Sequence, residues 1–397
     1  MSKKILTKKL LNQNMFLLSM LVFAFLLQLL FLFDAPILHD EPYRLFWAEN
    51  EEEFAKIMLA DVHPPFIYKF SNWVYHLVGD SVARTRLVFI PIGLLNLFLT
   101  YKLAKRFKSE KIALLLASTS FYFISFSVRI SPYTMVSAAT TGSILFLMRF
   151  YEKKDTLSLV LLGAVWGIGM NIHYYTLLII IPQLLLILYL TEGKQKMRCV
   201  LVPSLVAFII FLPTLNLAIQ QFMNALSRTE NQEYSWALAR PRVEPLRIVW
   251  TAGMFYPSHG MGKVTERGPG VLYVAISLYF LYTIMLAKLL MGLKKHKFIF
   301  RLKKPENRDL FILLGSFFGY VFMLTIGNFL SVAYFLPRYF SVVYPAYITI
   351  MSIGLLQIKN KKLRFTMLGL ALLFSLAAIW LSYLDFPIME RYESIVT

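Results

Sequence analysis

Two adjacent carboxylates, Asp40 and Glu41, follow the first long apolar run of the chain, within Leu38-His39-Asp40-Glu41-Pro42-Tyr43-Arg44. Further on comes Asp61-Val62-His63-Pro64-Pro65. A carboxylate held at hydrogen-bond distance can take the proton of an attacking hydroxyl, and an adjacent carboxylate can orient it or hold a substrate hydroxyl. The alternative for Asp40-Glu41 is helix capping, since an acidic residue ahead of Pro42 satisfies free amides and the helix dipole. Asp61 has the same two readings: a third carboxylate of a site, or the cap of a helix whose first turn holds Pro64 and Pro65. His63 brings a donor or cation that capping does not require. His39, Asp40, Asp61 and His63 are also hard or borderline ligands, so a divalent cation such as Mg²⁺ or Mn²⁺ is an alternative occupant, although their spacing matches no standard metal motif.

A second set of residues could hold an anion. Arg44, Lys69, Arg84, Arg86, Arg129 and Arg338 fall near the ends of apolar runs. Arginine suits a phosphate through its fixed fork of donors; the competing fate is snorkelling toward headgroups, which we favour for Arg84 and Arg86. Arg129 lies in Arg129-Ile130-Ser131-Pro132-Tyr133 and Arg338 in Pro337-Arg338-Tyr339, each a short turn beside a tyrosine. A short turn restricts where the guanidinium can go. Arg129 and Arg338 are therefore the favoured phosphate ligands, with Arg44 a further candidate and Tyr43, Tyr133 and Tyr339 in support. His173-Tyr174-Tyr175 reads as an interfacial aromatic belt. Trp236, Arg240, Arg242, Arg247, Trp250, Tyr256 and His259 form a weaker set that suits a carbohydrate or acceptor.

The elements that must position these residues belong in lipid. Hydrophobic residues make up 58% of the 397, mean hydropathy is +0.60 and only 16% are charged, where a soluble domain carries about 25%. Eleven candidate spans lie near 15–33, 84–101, 112–128, 133–149, 157–171, 174–190, 199–215, 270–290, 309–327, 339–356 and 365–384, each near the length of a membrane helix. The expected fold is an all-α polytopic membrane protein, one integral domain over 1–397. Its first extracytoplasmic loop, 34–83, carries interfacial helices and the carboxylates; a second long loop, 214–268, is a possible acceptor-binding cap.

With the N-terminus cytoplasmic, the larger share of the 41 Lys and Arg falls on inner segments and most of the 22 Asp and Glu on outer ones. Basic loops resist translocation, so the net charge of +19 signals topology and not nucleic-acid binding. The same count places the site and the C-terminus outside. The run from Met15 to Phe33 exceeds a signal-peptide core and reads as an uncleaved anchor. The single cysteine, Cys199, excludes a disulfide within the chain. In the first loop, helices are expected from Pro42 and from Pro64-Pro65. Trp47, Phe54, Met58 and Leu59 share an apolar face of the first; Phe66, Ile67, Phe70, Trp73, Val74 and Leu77 belong to the second. That pattern suits helices lying in the interface. No Asp, Glu, Lys or Arg falls near the middle of a span, which disfavours an ion-coupled transporter.

Taken together, Asp40-Glu41 behind the first span, Asp61-Val62-His63-Pro64-Pro65-Phe66-Ile67-Tyr68, Arg129-Ile130-Ser131-Pro132-Tyr133 and Pro337-Arg338-Tyr339 resemble the polyprenyl-phosphate-sugar glycosyltransferases of the membrane GT-C superfamily. The nearest likeness is to the protein O-mannosyltransferase and aminoarabinose-transferase branch, over about Leu38 to Phe150. The resemblance implies a GT-C-like bundle in which Asp40 is the catalytic base and His63 meets the donor phosphate. It also implies inversion at the anomeric carbon, a lipid, glycan or protein hydroxyl as acceptor, and membrane lipid around the whole. Arg44 departs from the aminoarabinose-transferase pattern Asp-Glu-x-Arg-Tyr, with Tyr43 and Arg44 exchanged. The rival readings are a lipid-linked polysaccharide polymerase or ligase, which needs no acidic pair behind the first span, and a flippase-type transporter, which needs a polar midplane path.

Overall fold

The computed structural model describes residues 3–32, 40–61, 63–230, 269–295, 304–329 and 337–384. Among these the secondary structure is helical throughout: α1 (Lys3–Leu32), α2 (Asp40–Phe46), α3 (Glu51–Ala60), α4 (Phe66–Leu77), α5 (Val82–Lys105), α6 (Glu110–Ser118), α7 (Phe121–Ser127), α8 (Tyr133–Lys153), α9 (Thr156–Ile172), α10 (Leu177–Leu190) and α11 (Gln195–Glu230). Four more follow: α12 (Pro269–Lys295), α13 (Pro305–Phe329), α14 (Tyr344–Leu356) and α15 (Lys361–Leu384). Short 3-10 turns at Tyr174–Thr176 and Pro337–Val343 lead into α10 and α14.

Seven of the described helical stretches are long and apolar enough to cross a membrane, in α1, α5, α11, α12, α13, in α15, and in α14 with the turn before it. They coincide with seven of the eleven expected spans. The other four depart for identifiable reasons. The expected span 112–128 is broken: Thr119 Oγ1 donates back to the Leu115 carbonyl (2.9 Å), and the Ser120 hydroxyl accepts from the Phe123 amide at the start of α7. Such local bonds compete with continuation of a helix. α8 is long enough, but it buries Thr134, Ser137, Thr140, Thr141 and Ser143. α9 and α10 are apolar but shorter.

Two spans approach closely through a glycine. α14 packs on α12, and a Cβ at Gly354 would collide with the Met285 carbonyl oxygen. Gly354→Ala must push the two helices apart, at about 1–3 kcal/mol for overpacking. Its thermal unfolding midpoint in detergent should fall, while Gly369→Ala, with nothing within 4 Å, should leave the midpoint unchanged or raise it.

α2, α3 and α4 occupy the first long loop. In α3, Phe54 and Met58 are buried while Glu51, Glu52 and Glu53 are exposed. Leu59, expected on the same apolar face, is exposed, and Trp47 lies in the turn between α2 and α3, so the expected first helix is two. α4 buries Ile67, Tyr68, Ser71 and Val74 and turns Phe66, Trp73 and Leu77 outward. It has an apolar outer surface as well as an apolar inner one, as an interfacial helix requires. α11 continues unbroken past the expected span end at 215 to Glu230 and packs on α3. Residues 231–268, with Trp236 to His259, lie outside the described residues.

Candidate active site

The first carboxylate cluster is organised by an ion pair. Glu41 is fully buried, and Arg86 of α5 meets it with both ends of its fork: Nη2 to Oε2 at 2.7 Å and Nε to Oε1 at 3.2 Å. The backbone amide of Ile130 donates to the same Oε1 at 2.9 Å, and Arg44 Nη1 donates to the Ile130 carbonyl at 2.9 Å. Arg86 Nη1 also reaches the Leu32 carbonyl at the end of α1 (3.4 Å). One set of charge-assisted bonds thus joins α1, α2, α5 and the turn between α7 and α8. Arg129 sits in that turn and is buried. The snorkelling expectation fails for Arg86. It fits Arg84, which is exposed and donates to the Val78 carbonyl. Lys69 is also exposed and lies over the Phe54 ring.

Asp61 is not the cap of α4. It closes α3, and the N-cap of α4 is Pro65, which makes no side-chain cap bond. Its carboxylate instead bonds His63 Nδ1 at 3.0 Å through Oδ1 and accepts the Tyr68 hydroxyl on Oδ2. Tyr68 is stacked on Trp47. Gln221 of α11 ties the segment down, donating to the Met58 carbonyl and to the His63 carbonyl (3.1 Å) while accepting from Tyr174 (2.6 Å).

The late turn completes the arrangement. Its backbone is held by Tyr122 to the Arg338 carbonyl, by Tyr320 to the Tyr339 carbonyl and by Thr140 to the Val342 carbonyl. The Arg338 guanidinium lies 5.8 Å from the Tyr133 ring centroid and 5.7 Å from that of Tyr339. Tyr133 and Tyr339 both pack on His173, which lies edge-on to His63 at 5.1 Å. His63, Arg338, Tyr133 and Tyr339, read from three distant segments, therefore meet at one place, with Arg44 close enough for its charge to act on His173.

His39 lies outside the described residues, as do the side chains of Asp40 and Tyr43; the backbone of Asp40 opens α2. Among the described residues no three His, Cys, Asp or Glu side chains converge on a metal-sized space. The sequence reading missed Arg86, assigned to headgroups, and His173, assigned to an aromatic belt. It missed Gln221 altogether. For His173 the signal was available: a histidine between two apolar helices, in the same kind of short turn as Arg129 and Arg338.

Two crystal structures of ArnT from Cupriavidus metallidurans share this architecture. The one bound to undecaprenyl phosphate superposes with a TM-score of 0.52 at 13% identity, over 93% of this chain and 75% of that one. The apo structure gives 0.54 at 14% identity, over 90% and 63%. This chain has the GT-C fold. Residues 62–216 match the family model for dolichyl-phosphate-mannose-protein mannosyltransferases, a stretch that begins at the Asp61-His63 segment and ends in α11. No protein of curated function matches the chain in sequence. Within the GT-C bundle the gathered histidines, arginines and tyrosines lie at the end that also carries α2, α3 and α4.

Proposed function

We propose that this chain is a membrane glycosyltransferase that moves a sugar from a polyprenyl-phosphate donor to a hydroxyl acceptor at the extracytoplasmic face. The observation that carries the reading is the convergence of His63, Arg338 and Arg44 around one aromatic cluster, beside the helix that Asp40 opens. Cationic forks in a largely dry site suit a phosphate. ArnT, whose fold this chain shares, has been crystallised with undecaprenyl phosphate bound. The orientation rests on the loop charge bias, which keeps the basic segments inside.

In the proposed step, Asp40 takes the proton of the acceptor hydroxyl. The hydroxyl oxygen bonds to the anomeric carbon from the side opposite the phosphate, and the carbon–oxygen bond to phosphate breaks. The bond pair leaves with polyprenyl phosphate, whose charge His63, Arg44, Arg129 and Arg338 balance. Glu41 serves by position: with both carboxylate oxygens engaged, it anchors α2 and the Arg129 turn. Asp61 likewise orients His63.

Transfer of radiolabelled sugar from a panel of polyprenyl-phosphate hexoses and pentoses in proteoliposomes tests this reading. Turnover with at least one donor, lost in Arg338→Gln, supports it. Binding of donor lipids without turnover, across a panel of lipid, glycan and peptide acceptors, would favour a carrier over an enzyme.

A further inference from the structure

His173 links α9 to the turn before α10, in extended backbone conformation. Its amide donates to the Gly169 carbonyl (2.8 Å), and its carbonyl accepts from Thr176 (3.0 Å). The Tyr175 amide donates to His173 Nδ1 at 3.2 Å. A ring nitrogen that accepts an amide proton carries none itself, so the neutral imidazole has its proton on Nε2. That Nε2 is buried and has no hydrogen-bond partner among the described residues. The ring, only 2% exposed, is enclosed by His63, Tyr133, Tyr175 and Tyr339. A buried donor without an acceptor is costly and calls for a ligand or water that completes it.

We infer that His173 is a phosphate-binding residue, donating its Nε2–H as a neutral hydrogen bond to a phosphoryl oxygen of the lipid-linked donor. The inference rests on the glycosyl-transfer reading above and adds a ligand that reading does not contain. The neighbours select an anion over a neutral oxygen. The Arg338 and Arg44 guanidiniums act on this ring, and a third cation there would be repelled by them. A neutral donor adds a bond to phosphate without adding charge.

The protonation state follows from the surroundings. Burial pushes the His173 imidazole well below its ordinary range. The neighbouring His63 (between α3 and α4), Arg338 (the late turn) and Arg44 (α2) push the same way, and Asp61 opposes them. Tyr133, Tyr175 and Tyr339 supply the remaining titratable groups against the ring. His173 is therefore an uncharged donor at neutral pH.

The test uses the purified full-length protein in nanodiscs, with a short-chain polyprenyl monophosphate as probe and the matching prenol as control. Wild type should bind the phosphate far more tightly than the alcohol. His173→Phe keeps the ring and loses the donor; it should bind the phosphate about tenfold more weakly, the worth of one hydrogen bond to a charged group, with prenol binding unchanged. His173→Gln, which restores an N–H near Nε2, should recover most of the loss. His173→Asn can still accept from Tyr175 but lacks the distal donor, and should bind like His173→Phe. It serves as the informative variant should the phenylalanine not fold. The wild-type to His173→Phe ratio should stay flat from about pH 6 to 8.

Unchanged phosphate binding in both His173→Phe and His173→Asn would overturn the assignment. So would a ratio that collapses toward one as pH rises, the mark of an imidazolium. Loss of phosphate binding in Arg338→Gln but not in His173→Phe would remove His173 and leave the donor reading intact. Equal wild-type affinity for phosphate and prenol would remove both.

Discussion

Asp40→Asn should lower sugar transfer by about 10²–10⁴-fold, the usual contribution of a positioned general base, while donor binding stays near wild type. The reason is one of timing. The base acts on the acceptor proton only as the new bond forms, so its loss falls on the chemical step and not on the ground-state complex. The phosphate ligands predict the opposite division: Arg338→Gln should weaken donor binding as well as turnover. Single-turnover transfer in proteoliposomes, with donor affinity measured separately, checks both. Wild-type turnover in Asp40→Asn would move the base to Asp61. Asp61 is a weaker candidate, because one of its oxygens is on His63 and the other on Tyr68.

Arg86→Ala should destabilise the fold by about 3–5 kcal/mol, the cost of leaving one member of a buried pair behind. Glu41 is fully buried and Arg86 is 3% exposed, so the remaining carboxylate would have no water to replace the guanidinium. The pair need not be net stabilising over apolar replacements, since desolvating both charges is itself expensive. The penalty lies in breaking it. Glu41→Gln alone should also be costly, and Arg86→Met combined with Glu41→Gln should recover part of the loss. A double-mutant cycle on denaturant or thermal midpoints separates the coupling from the single effects. Arg86→Lys should fall short of wild type, because an ammonium cannot match the two-point fork. Because the same carboxylate accepts from the Ile130 amide, these variants should also lose transfer beyond their loss of folded protein.

The span interiors bear on the transporter alternative. Gln183, at depth in α10, accepts from Trp166 Nε1 at 2.7 Å and donates to Ser143 at 2.9 Å. Asn171 donates to the Gly167 and Ile210 carbonyls. Both polar side chains are engaged in holding helices together, a common use of amides between membrane helices.

The sequence by itself determined the class of protein and singled out most of the residues that the fold brings together in the candidate site. Long apolar runs with charge confined to their ends leave membrane helices as the workable structure, because backbone groups in lipid must be satisfied within a segment. Against that background His63, Arg129, Arg338 and the Asp40-Glu41 pair stood out by being costly where they are. Helices α2 and α4 start at or beside Asp40 and Pro65, near where the prolines placed them.

What the tertiary structure decided is how those residues divide their work. Arg84 and Arg86 are two positions apart on one helix, so they face nearly opposite sides. Only the fold shows that the second meets a carboxylate 45 positions earlier, while the first faces outward. Asp61 next to prolines fits a cap or a histidine partner equally well from local sequence; the Tyr68 hydroxyl settles it. His173 is the clearest case. Its neighbours come from the α3–α4 segment, α8 and the late turn, and no local pattern encodes a meeting of segments so far apart. The break at Thr119-Ser120 shows the limit in the other direction. Two hydroxyls that hydropathy counts as minor interruptions redirect backbone hydrogen bonds, and one expected span becomes two short helices.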